Sequence, residues 1–252
     1  MAFYDDTQYS YDLFWEGREY EHHSEVMALE KLLGDKKLNV VADIGGGYGR
    51  LTRWLAGHSQ KVYLVEPSAK MRSLAKTHLA KYPQAVIRPG SVGDTNLPPK
   101  SVDAILLVRV LHHLPAPASA IIELRRILKP HGYLVLEFAN SAHFLQRLKS
   151  WLTGKPILPT ATERRSPQHI AQGTIPFVNH HPLTVQKLLK RQGFAIVKVL
   201  SVSNFRHHIF KKLVPFRTLI SLESWCQENL TGLYFGPSIF VLAQRLDRSV
   251  DL

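Results

Sequence analysis

Cysteine is almost absent from this chain of 252 residues, since Cys226 is the single one. One thiol cannot build an internal disulfide framework, which suits a reducing compartment. No run approaches the roughly 20 apolar residues that a membrane-spanning helix requires, and residues 1–8 are polar and acidic where a signal segment would be apolar. We therefore expect a soluble, cytoplasmic protein, and we predict no metal site. The hydrophobic content of 45% is enough for one α/β core.

Acidic residues are scarce in residues 141–222, which hold thirteen Lys or Arg but a single acid, Glu163. The rest of the chain has nineteen residues of each sign, so this segment accounts for the whole net charge of +12. It also holds six of the thirteen histidines. Its partner or substrate is therefore expected to be anionic, unless the charge is only a solvated face.

Two stretches of this basic segment have the spacing of amphipathic helices. The first places Phe144, Leu148, Trp151 and Leu152 on one face, with Arg147 and Lys149 off it. The second groups Phe205, Ile209, Phe210 and Leu213 opposite Arg206, His207, His208, Lys211 and Lys212. Four interpretations stay open: a helical cap with a solvated basic face, a peripheral contact with anionic membrane, capture of an anionic substrate, and nucleic-acid binding.

Glycine is concentrated at the end of the first apolar strand. Residues 40–44 can fill a buried strand that ends in Asp43-Ile44, and four glycines follow it, at positions 45, 46, 47 and 49. Such a turn lets a ligand lie against the backbone. A second apolar strand ends about twenty residues later in Glu66, at the spacing of a carboxylate that binds a ribose diol. The pair predicts a site for a nucleoside-containing cofactor.

Two details of this turn distinguish among such cofactors. The dinucleotide fingerprint requires Gly or Ala five positions after its first glycine, where this chain has Arg50. Asp43 also lies where a pyrophosphate would pass, and its carboxylate would repel one. S-adenosylmethionine has no phosphate, and its ammonium and sulfonium both favour a nearby anion. The turn therefore favours S-adenosylmethionine over NAD.

Several motifs together resemble the class I S-adenosylmethionine-dependent methyltransferases, in particular the small-molecule branch (methyltransferase type 11) that includes quinone and sterol enzymes. They are Asp43-Ile44-Gly45-Gly46-Gly47-Tyr48-Gly49, Val65-Glu66-Pro67-Ser68 with Met71, Leu97-Pro98, Val110-Leu111-His112-His113-Leu114, and Leu124-Arg125-Arg126-Ile127-Leu128-Lys129-Pro130-His131-Gly132-Tyr133-Leu134. The resemblance covers residues 39–140. It implies a Rossmann-like α/β fold, with a seven-stranded, mostly parallel sheet, a reversed last strand and helices on both faces.

The same resemblance implies roles for individual residues. Asp43 would meet the methionine ammonium and Gly45, Gly46 and Gly47 would line the methionine moiety. Glu66, followed by Pro67, would bind the ribose hydroxyls, while Met71 would pack on the adenine.

Two departures from the family pattern affect the expected site. The family shows Gly-Asp after its third strand, whereas Gly90 here is followed by Ser91 and Val92, and Asp94 comes later. Ser91 and Val92 are predicted to lie beside the adenine, with Asp94 as the alternative. Arg109, at the end of the fourth strand, is an unusual cation there, and we expect it to pair with Asp43, with the cofactor's carboxylate or with an anionic substrate.

The chain reads as one domain, residues 1–252, with four parts. Residues 1–38 form an N-terminal helical arm or lid with many aromatic residues, residues 39–140 the cofactor-binding core, and residues 141–193 a basic cap inserted after the fifth strand. Residues 194–245 contain the last two strands and a second basic insertion. Strands are expected near 39–44, 61–66, 85–88, 102–108, 133–139, 194–200 and 238–243, and core helices near 49–56, 68–81 and 117–128.

Methyl transfer needs alignment of the acceptor and, for some acceptors, a base. Candidate bases are His112 and His113 above the fourth strand, and His180 or His181 from the cap.

The segment after the fourth strand lacks the motif of amino-methylating enzymes and the paired glutamates of arginine methyltransferases, and Cys226 lies in no cytosine-methylating motif. We therefore expect a small-molecule or lipid-like acceptor, and the basic segment favours an acceptor that carries an anionic group. The alternatives are a non-catalytic binding or scaffold protein of this fold, an RNA methyltransferase, and another adenosylmethionine chemistry such as aminopropyl transfer.

Overall fold

A computed structural model describes Asp5 and residues 15–247 of the chain. Its centre is a seven-stranded sheet in the order β3-β2-β1-β4-β5-β9-β8. The strands are β1 (Leu38–Ile44), β2 (Ser59–Val65), β3 (Ala85–Arg88), β4 (Val102–Leu107), β5 (Leu128–Ala139), β8 (Phe194–Val202) and β9 (Ser238–Arg245). Strands β1 to β5 pair in parallel, and β9 is antiparallel to both of its neighbours. The predicted Rossmann-like sheet with a reversed last strand is confirmed.

Helices cover both faces of the sheet. They are α1 (Glu19–Leu33), α2 (Thr52–Gly57), α3 (Ala69–His78), α4 (Ala118–Ile127), α5 (Phe144–Thr153), α6 (Pro167–Ala171), α7 (Pro182–Arg191), α8 (His208–Leu213) and α9 (Phe216–Asn229). Buried side chains of α1 and α2 form one core with the sheet, and those of α4 and α7 form a core on the other face. Successive side chains of β1 point into these two cores in turn. Val41 lies in the core with α1 and α2, and Ala42 lies in the core with α4 and α7, as expected for a strand buried on both faces.

The clearest differences from the boundaries expected from the sequence are at the starts of two elements. Helix α2 begins at Thr52 and not at residue 49, because Gly49 has a φ of +88° and cannot be helical. Strand β5 begins at Leu128, which pairs with Val102, and a register shift follows before the pairing resumes at Tyr133. Lys129 and Pro130 therefore lie within a bulged strand.

The cap is smaller than residues 141–193. Helix α7 packs on the sheet through Val185 and Leu189, so the part projecting beyond the sheet ends before it. That part contains α5, α6 and a two-stranded ribbon of β6 (Thr162–Glu163) and β7 (Val178–Asn179). The second insertion contains α8 and α9, and α9 packs against α1, where Gln227 Nε2 donates to Ser24 O at 2.8 Å. Within residues 15–247, no helix has the length and apolar character that crossing a membrane requires.

Candidate active site

A cavity of about 280 Å³ lies over the carboxyl ends of β1, β2 and β4. Ligands of open α/β sheets bind at this edge, next to the strands where the order reverses. All ten residues predicted to bind the cofactor line it, namely Asp43, Gly45, Gly46, Gly47, Glu66, Pro67, Met71, Ser91, Val92 and Arg109. The structure thus brings together residues that span almost seventy positions of sequence.

The turn that forms the floor of the cavity requires glycine. Gly45 has a φ of +70°, and a Cβ there would lie 2.5 Å from Val110 Cγ2. At Gly46 a Cβ would lie 2.6 Å from the Asp43 carboxylate. Side chains at these positions would fill the space beside Asp43, so the glycines keep that carboxylate open to the cavity.

The Glu66 carboxylate is fixed in place at the end of β2. Its Oε2 accepts a hydrogen bond from the backbone N–H of Gly47 at 3.0 Å, and its Oε1 accepts one from Ser68 N–H at 2.9 Å. Burial raises the pKa of Glu66, and the two backbone donors offset part of that rise. The side chain therefore links the glycine turn to the start of α3 and presents an orientated acceptor to the cavity.

Asp43 is buried, with 3% of its surface exposed, and its Oδ2 accepts a hydrogen bond from Thr52 Oγ1 at 2.6 Å. Burial raises the pKa of Asp43 to about 6, and neither the Thr52 bond nor the charge of Arg50 fully offsets it. A cation bound in the cavity would stabilise the ionised carboxylate. Asp43 therefore provides an anionic site whose charge is poorly compensated by the protein itself.

The partner of Arg109 is an acid that the sequence analysis did not identify. Glu25 of α1 accepts a hydrogen bond from Arg109 Nε at 2.8 Å and also forms an ion pair with Arg50. Burial alone would raise the pKa of Glu25, but the charges of Arg109 and Arg50 outweigh it and lower the pKa. Both guanidiniums also lie against the ring of Trp15. Arg109 thus pairs with Glu25, an acid that was not among the three partners expected for it.

The charges around the cavity indicate what it can hold. Arg50 and Arg109 share the Glu25 carboxylate, which balances one of their two positive charges within the protein. The acids Asp43 and Glu66 remain directed at the ligand space. A donor set of this kind fits the ammonium, sulfonium and ribose of S-adenosylmethionine, and it does not fit a pyrophosphate.

The turn after β3 contains both candidates for the adenine contact, Ser91 with Val92 and, alternatively, Asp94. Ser91 and Asp94 pair through their backbones, with Ser91 N–H donating to Asp94 O at 2.8 Å. Ser91 and Val92 line the cavity, whereas the Asp94 side chain accepts from Asn96 N–H at 3.3 Å, outside the lining. The geometry favours Ser91 and Val92 over Asp94.

Of the histidines predicted to act as a base, the structure brings His113 alone to the cavity lining. His113 Nδ1 donates to the carbonyl of Pro176 at 2.8 Å, so in the neutral ring Nε2 is the unprotonated nitrogen. His112 packs against Phe177, with ring centroids 4.8 Å apart, and burial lowers its pKa to about 2. Such a low pKa makes His112 a weak base, and its ring is a packing element.

The two cap histidines also lie outside the cavity lining. His180 is buried and its Nε2 donates to Leu111 O at 3.0 Å, which ties the cap to the segment after β4. His181 occupies the residue before α7. Neither side chain reaches the space over Asp43.

The aromatic N-terminal arm is described only in part. Tyr4, Tyr9, Tyr11 and Phe14 lie outside the described residues, and Tyr20 packs in the core as part of α1. Asp5 accepts a hydrogen bond from Ser68 Oγ at 2.7 Å, next to Pro67 at the cavity rim. The lid function of the arm stays a prediction.

Glu25 and Arg50 are the main residues that sequence reasoning missed. Arg50 was noted only as a departure from the dinucleotide fingerprint. The available signal was Glu25 itself, since it lies on the face of α1 that buries Ala28 and Leu29. A carboxylate on a buried helical face requires a cationic partner, and Arg109 was a cation whose partner the sequence left open among three.

Comparison with known proteins identifies the family of the chain. A methyltransferase-domain family model matches residues 42–136, the part of the chain that contains the glycine turn, Glu66 and β4. An uncharacterized methyltransferase of Anoxybacillus flavithermus is 32% identical over 152 residues, which are 58% of this chain and 69% of the relative. Another, of Geobacillus kaustophilus, is 33% identical over 138 residues, which are 53% of this chain and 62% of that relative. The chain thus spans less than two thirds of the length of the latter.

The fold is shared with solved structures over most of the chain. A putative S-adenosylmethionine-dependent methyltransferase of Listeria monocytogenes superposes with a TM-score of 0.64 at 17% identity, covering 91% of this chain and 100% of that one. Family model, relatives and fold point to the same family. The chain belongs to the class I S-adenosylmethionine-dependent methyltransferases.

Proposed function

We propose that the chain transfers the methyl group of S-adenosylmethionine to a small-molecule or lipid-like acceptor that carries an anionic group. The observation that supports this most directly is the pair of buried carboxylates, Asp43 and Glu66, in one cavity at the carboxyl edge of the sheet. Bound S-adenosylmethionine supplies an activated methyl group, which the acceptor nucleophile takes by in-line displacement.

The residues of the cavity then have distinct roles. Asp43 binds the ammonium, and the backbone at Gly45 to Gly47 lies along the methionine moiety. Glu66 accepts hydrogen bonds from the ribose hydroxyls, and Met71 with Val92 packs on the adenine. These contacts fix the position of the methyl group, so that the protein's main contribution is alignment.

His113 is the candidate for receiving a proton from the acceptor. It lines the cavity beside Val110, at the end where the methionine moiety would lie. Burial lowers the pKa of His113, which keeps the ring neutral near pH 7, and the bond to Pro176 orientates it. An acceptor that is already ionised would not require it.

A peripheral contact with anionic membrane belongs to the same proposal. Helix α5 buries none of its residues and exposes Leu145 by 62%, Trp151 by 79% and Leu152 by 68%. In α8, Leu213 is 75% exposed, and Lys212 beside it is exposed as well. Apolar side chains flanked by cations suit the surface of an anionic bilayer.

The test of activity is a product screen. The purified protein is incubated with S-adenosylmethionine carrying an isotope-labelled methyl group and with separate pools of polar metabolites, lipids and RNA. We expect labelled product in the lipid or small-molecule pool and loss of it in Asp43→Asn. Label that enters only RNA, or no pool at all, would contradict the proposal.

A further inference from the structure

A second cavity, of about 740 Å³, lies beside the cofactor cavity on the same edge of the sheet. It stands over the end of β8 and the start of β9, since Asn204 and Pro237 line it. Arg109, at the end of β4, lines the cofactor cavity, and β5 separates β4 from β9 in the sheet. We call the second cavity the Arg206 pocket, after one of the two arginines that line it.

Arg206 is accessible to solvent, and among residues 15–247 its guanidinium has no hydrogen-bond or ion-pair partner. Surrounding protein nevertheless lowers the pKa of Arg206, first through burial and then through the charge of Arg109. The exposed Arg206 side chain lines the second cavity and so lies in a concavity. An unpaired guanidinium in such a place is typical of anion recognition.

The acids near the Arg206 pocket are largely engaged elsewhere. Glu21 pairs with Lys211 at 3.0 Å, and the Glu137 carboxylate accepts from Arg109 N–H at 2.8 Å and from Ser238. Glu16, the other acid of the lining, is exposed.

The cap adds further positive charge without supplying a counter-charge. Its single acid, Glu163, pairs with Arg165 at 2.7 Å. His143 lines the pocket, and burial together with the charges of Arg206, Arg164 and Arg147 lowers its pKa. The pocket therefore has an excess of positive charge that its own acids do not balance.

Four phenylalanines also line the pocket. Phe144 and Phe235 stack with ring centroids 4.9 Å apart, and Phe205 meets Phe210 edge to face at 5.5 Å. Two phenylalanine pairs beside an unpaired arginine provide an apolar surface and an anion site in one concavity. This combination fits an amphiphile and not a highly polar anion such as RNA.

The loop that carries Arg206 is held in a fixed conformation. Buried Glu223 of α9 accepts hydrogen bonds from Ser203 N–H at 2.8 Å and Asn204 N–H at 2.9 Å. It also accepts from Tyr20 OH at 2.6 Å, and Phe205 N–H in turn donates to that hydroxyl at 2.9 Å. Arg206 therefore projects from an anchored turn, which reduces the entropy that a ligand would have to remove.

We propose that the Arg206 pocket binds the methyl acceptor as an anionic amphiphile, with a carboxylate or phosphate group on Arg206 and the apolar part against the two phenylalanine pairs. The acceptor assignment rests on the proposed methyltransferase function, whereas the binding of an anionic amphiphile does not. An acceptor held here extends towards Arg109 and the methionine end of the cofactor cavity.

The test uses dodecanoate and dodecyl phosphate as probes, below their micelle-forming concentrations, with protein saturated by S-adenosylhomocysteine. Calorimetry is expected to show binding of one molecule for at least one of the two probes, and comparison of the two identifies the preferred headgroup. Dodecanol and dodecyltrimethylammonium are expected to bind at least tenfold more weakly. Arg206→Met, which keeps the apolar stem, is expected to weaken anionic binding at least tenfold, and Arg206→Lys less.

Two controls separate this proposal from the proposed function. Lys212→Met removes an exposed cation outside the pocket lining and is expected to leave probe binding unchanged, and Arg206→Met should bind S-adenosylhomocysteine like the parent protein. Equal binding of dodecanol, no effect of Arg206→Met, or displacement of the probes by S-adenosylhomocysteine would overturn the pocket assignment. Failure to bind S-adenosylhomocysteine, with Arg206-dependent binding of the probes intact, would instead contradict the proposed function alone.

Discussion

At the scale of single residues, the buried carboxylate of Asp43 lowers the stability of the unliganded protein but favours the binding of a cationic ligand. Its carboxylate is buried with one hydroxyl donor, so the ionised form is unfavourable until a cation is bound. A group that destabilises the unliganded protein and fits a cationic ligand is typical of a functional site. The same residue should therefore affect stability and affinity in opposite directions.

Asp43→Asn is the test of that conflict. Because burial raises the pKa of Asp43 from 3.8 to about 6, the folded state binds more protons than the unfolded chain between these values, and stability falls as the pH rises through that window. The unliganded variant should thus be more stable than the parent at pH 7.5, by about 1–3 kcal/mol, with the gain narrowing towards pH 4. Thermal unfolding at several pH values measures this. A variant less stable at pH 7.5 would show that the carboxylate has a partner in the fold.

Glu66 and Asp94 form a matched pair of acids near the same edge of the sheet. Glu66→Gln should weaken binding of S-adenosylhomocysteine by about 1.5–3 kcal/mol, because a charge-assisted grip on the ribose is lost. Asp94→Ala should leave the affinity unchanged, since its carboxylate lies outside the cavity lining. Calorimetry measures the affinity of both variants for S-adenosylhomocysteine. A large loss in Asp94→Ala with little in Glu66→Gln would reverse the assignment of the adenine and ribose contacts.

At the scale of elements, helix α1 is connected to the active site through Glu25. That residue holds Arg50 after the glycine turn and Arg109 after β4, so one carboxylate fixes two segments of the cavity wall. The helix was expected to belong to an arm over the cofactor. Its inner face also supplies Glu25 to the electrostatics of the site.

Glu25→Gln should therefore be strongly destabilising. The change leaves two partly buried guanidiniums without a counter-charge, and breaking such an arrangement costs about 3–5 kcal/mol. Glu30→Gln on the same helix is the control, because its carboxylate is exposed and lies 3.6 Å from His58 in a surface pair. Urea unfolding of both variants should show a clear shift for the first and a small one for the second. Equal midpoints would mean that the Glu25 pair contributes little.

The elements that the sequence predicted well are those with local signals. Strands β1 to β4 are short apolar runs, and the glycine turn and Glu66 follow two of them at fixed spacing. Residues such as Glu25 could not be assigned, because their partners Arg50 and Arg109 are brought near only by the packing of α1 on the sheet.

The second predicted amphipathic stretch is longer than the helix α8 that it contains, and the reason is again a contact between residues distant in sequence. Its first residues, Phe205 to His207, precede α8, because the preceding turn is held by Glu223 at a distance of twenty positions in sequence.

At the scale of the whole molecule, positive charge and exposed apolar surface occur in the same region. Residues 141–222 contribute the full net charge of +12, and the exposed faces of α5 and α8 belong to them. One of the cations there is not available to a partner, since Lys211 pairs with the largely buried Glu21. The exposed members, such as Lys149 and Lys212, are the ones that can meet a membrane.

Vesicle sedimentation tests this surface. Vesicles that contain anionic lipid should retain the protein at low salt and release it as the ionic strength rises, because salt screens the attraction. The double variant Lys149→Ala, Lys212→Ala should reduce retention, and Trp151→Ser should reduce it by removing an exposed apolar contact. Lys76→Ala, outside the basic segment, is the control. Retention that is independent of salt and of all these variants would contradict the proposed membrane contact.

Every role assigned to a residue of the active site depends on the cavity lined by Asp43 and Glu66 being a site for S-adenosylmethionine. Isothermal titration of the purified protein with S-adenosylmethionine, S-adenosylhomocysteine and NAD tests it directly. We predict micromolar binding of the first two at one site per chain and no measurable heat from NAD. Tight binding of NAD, or no binding of either adenosyl compound, would contradict it.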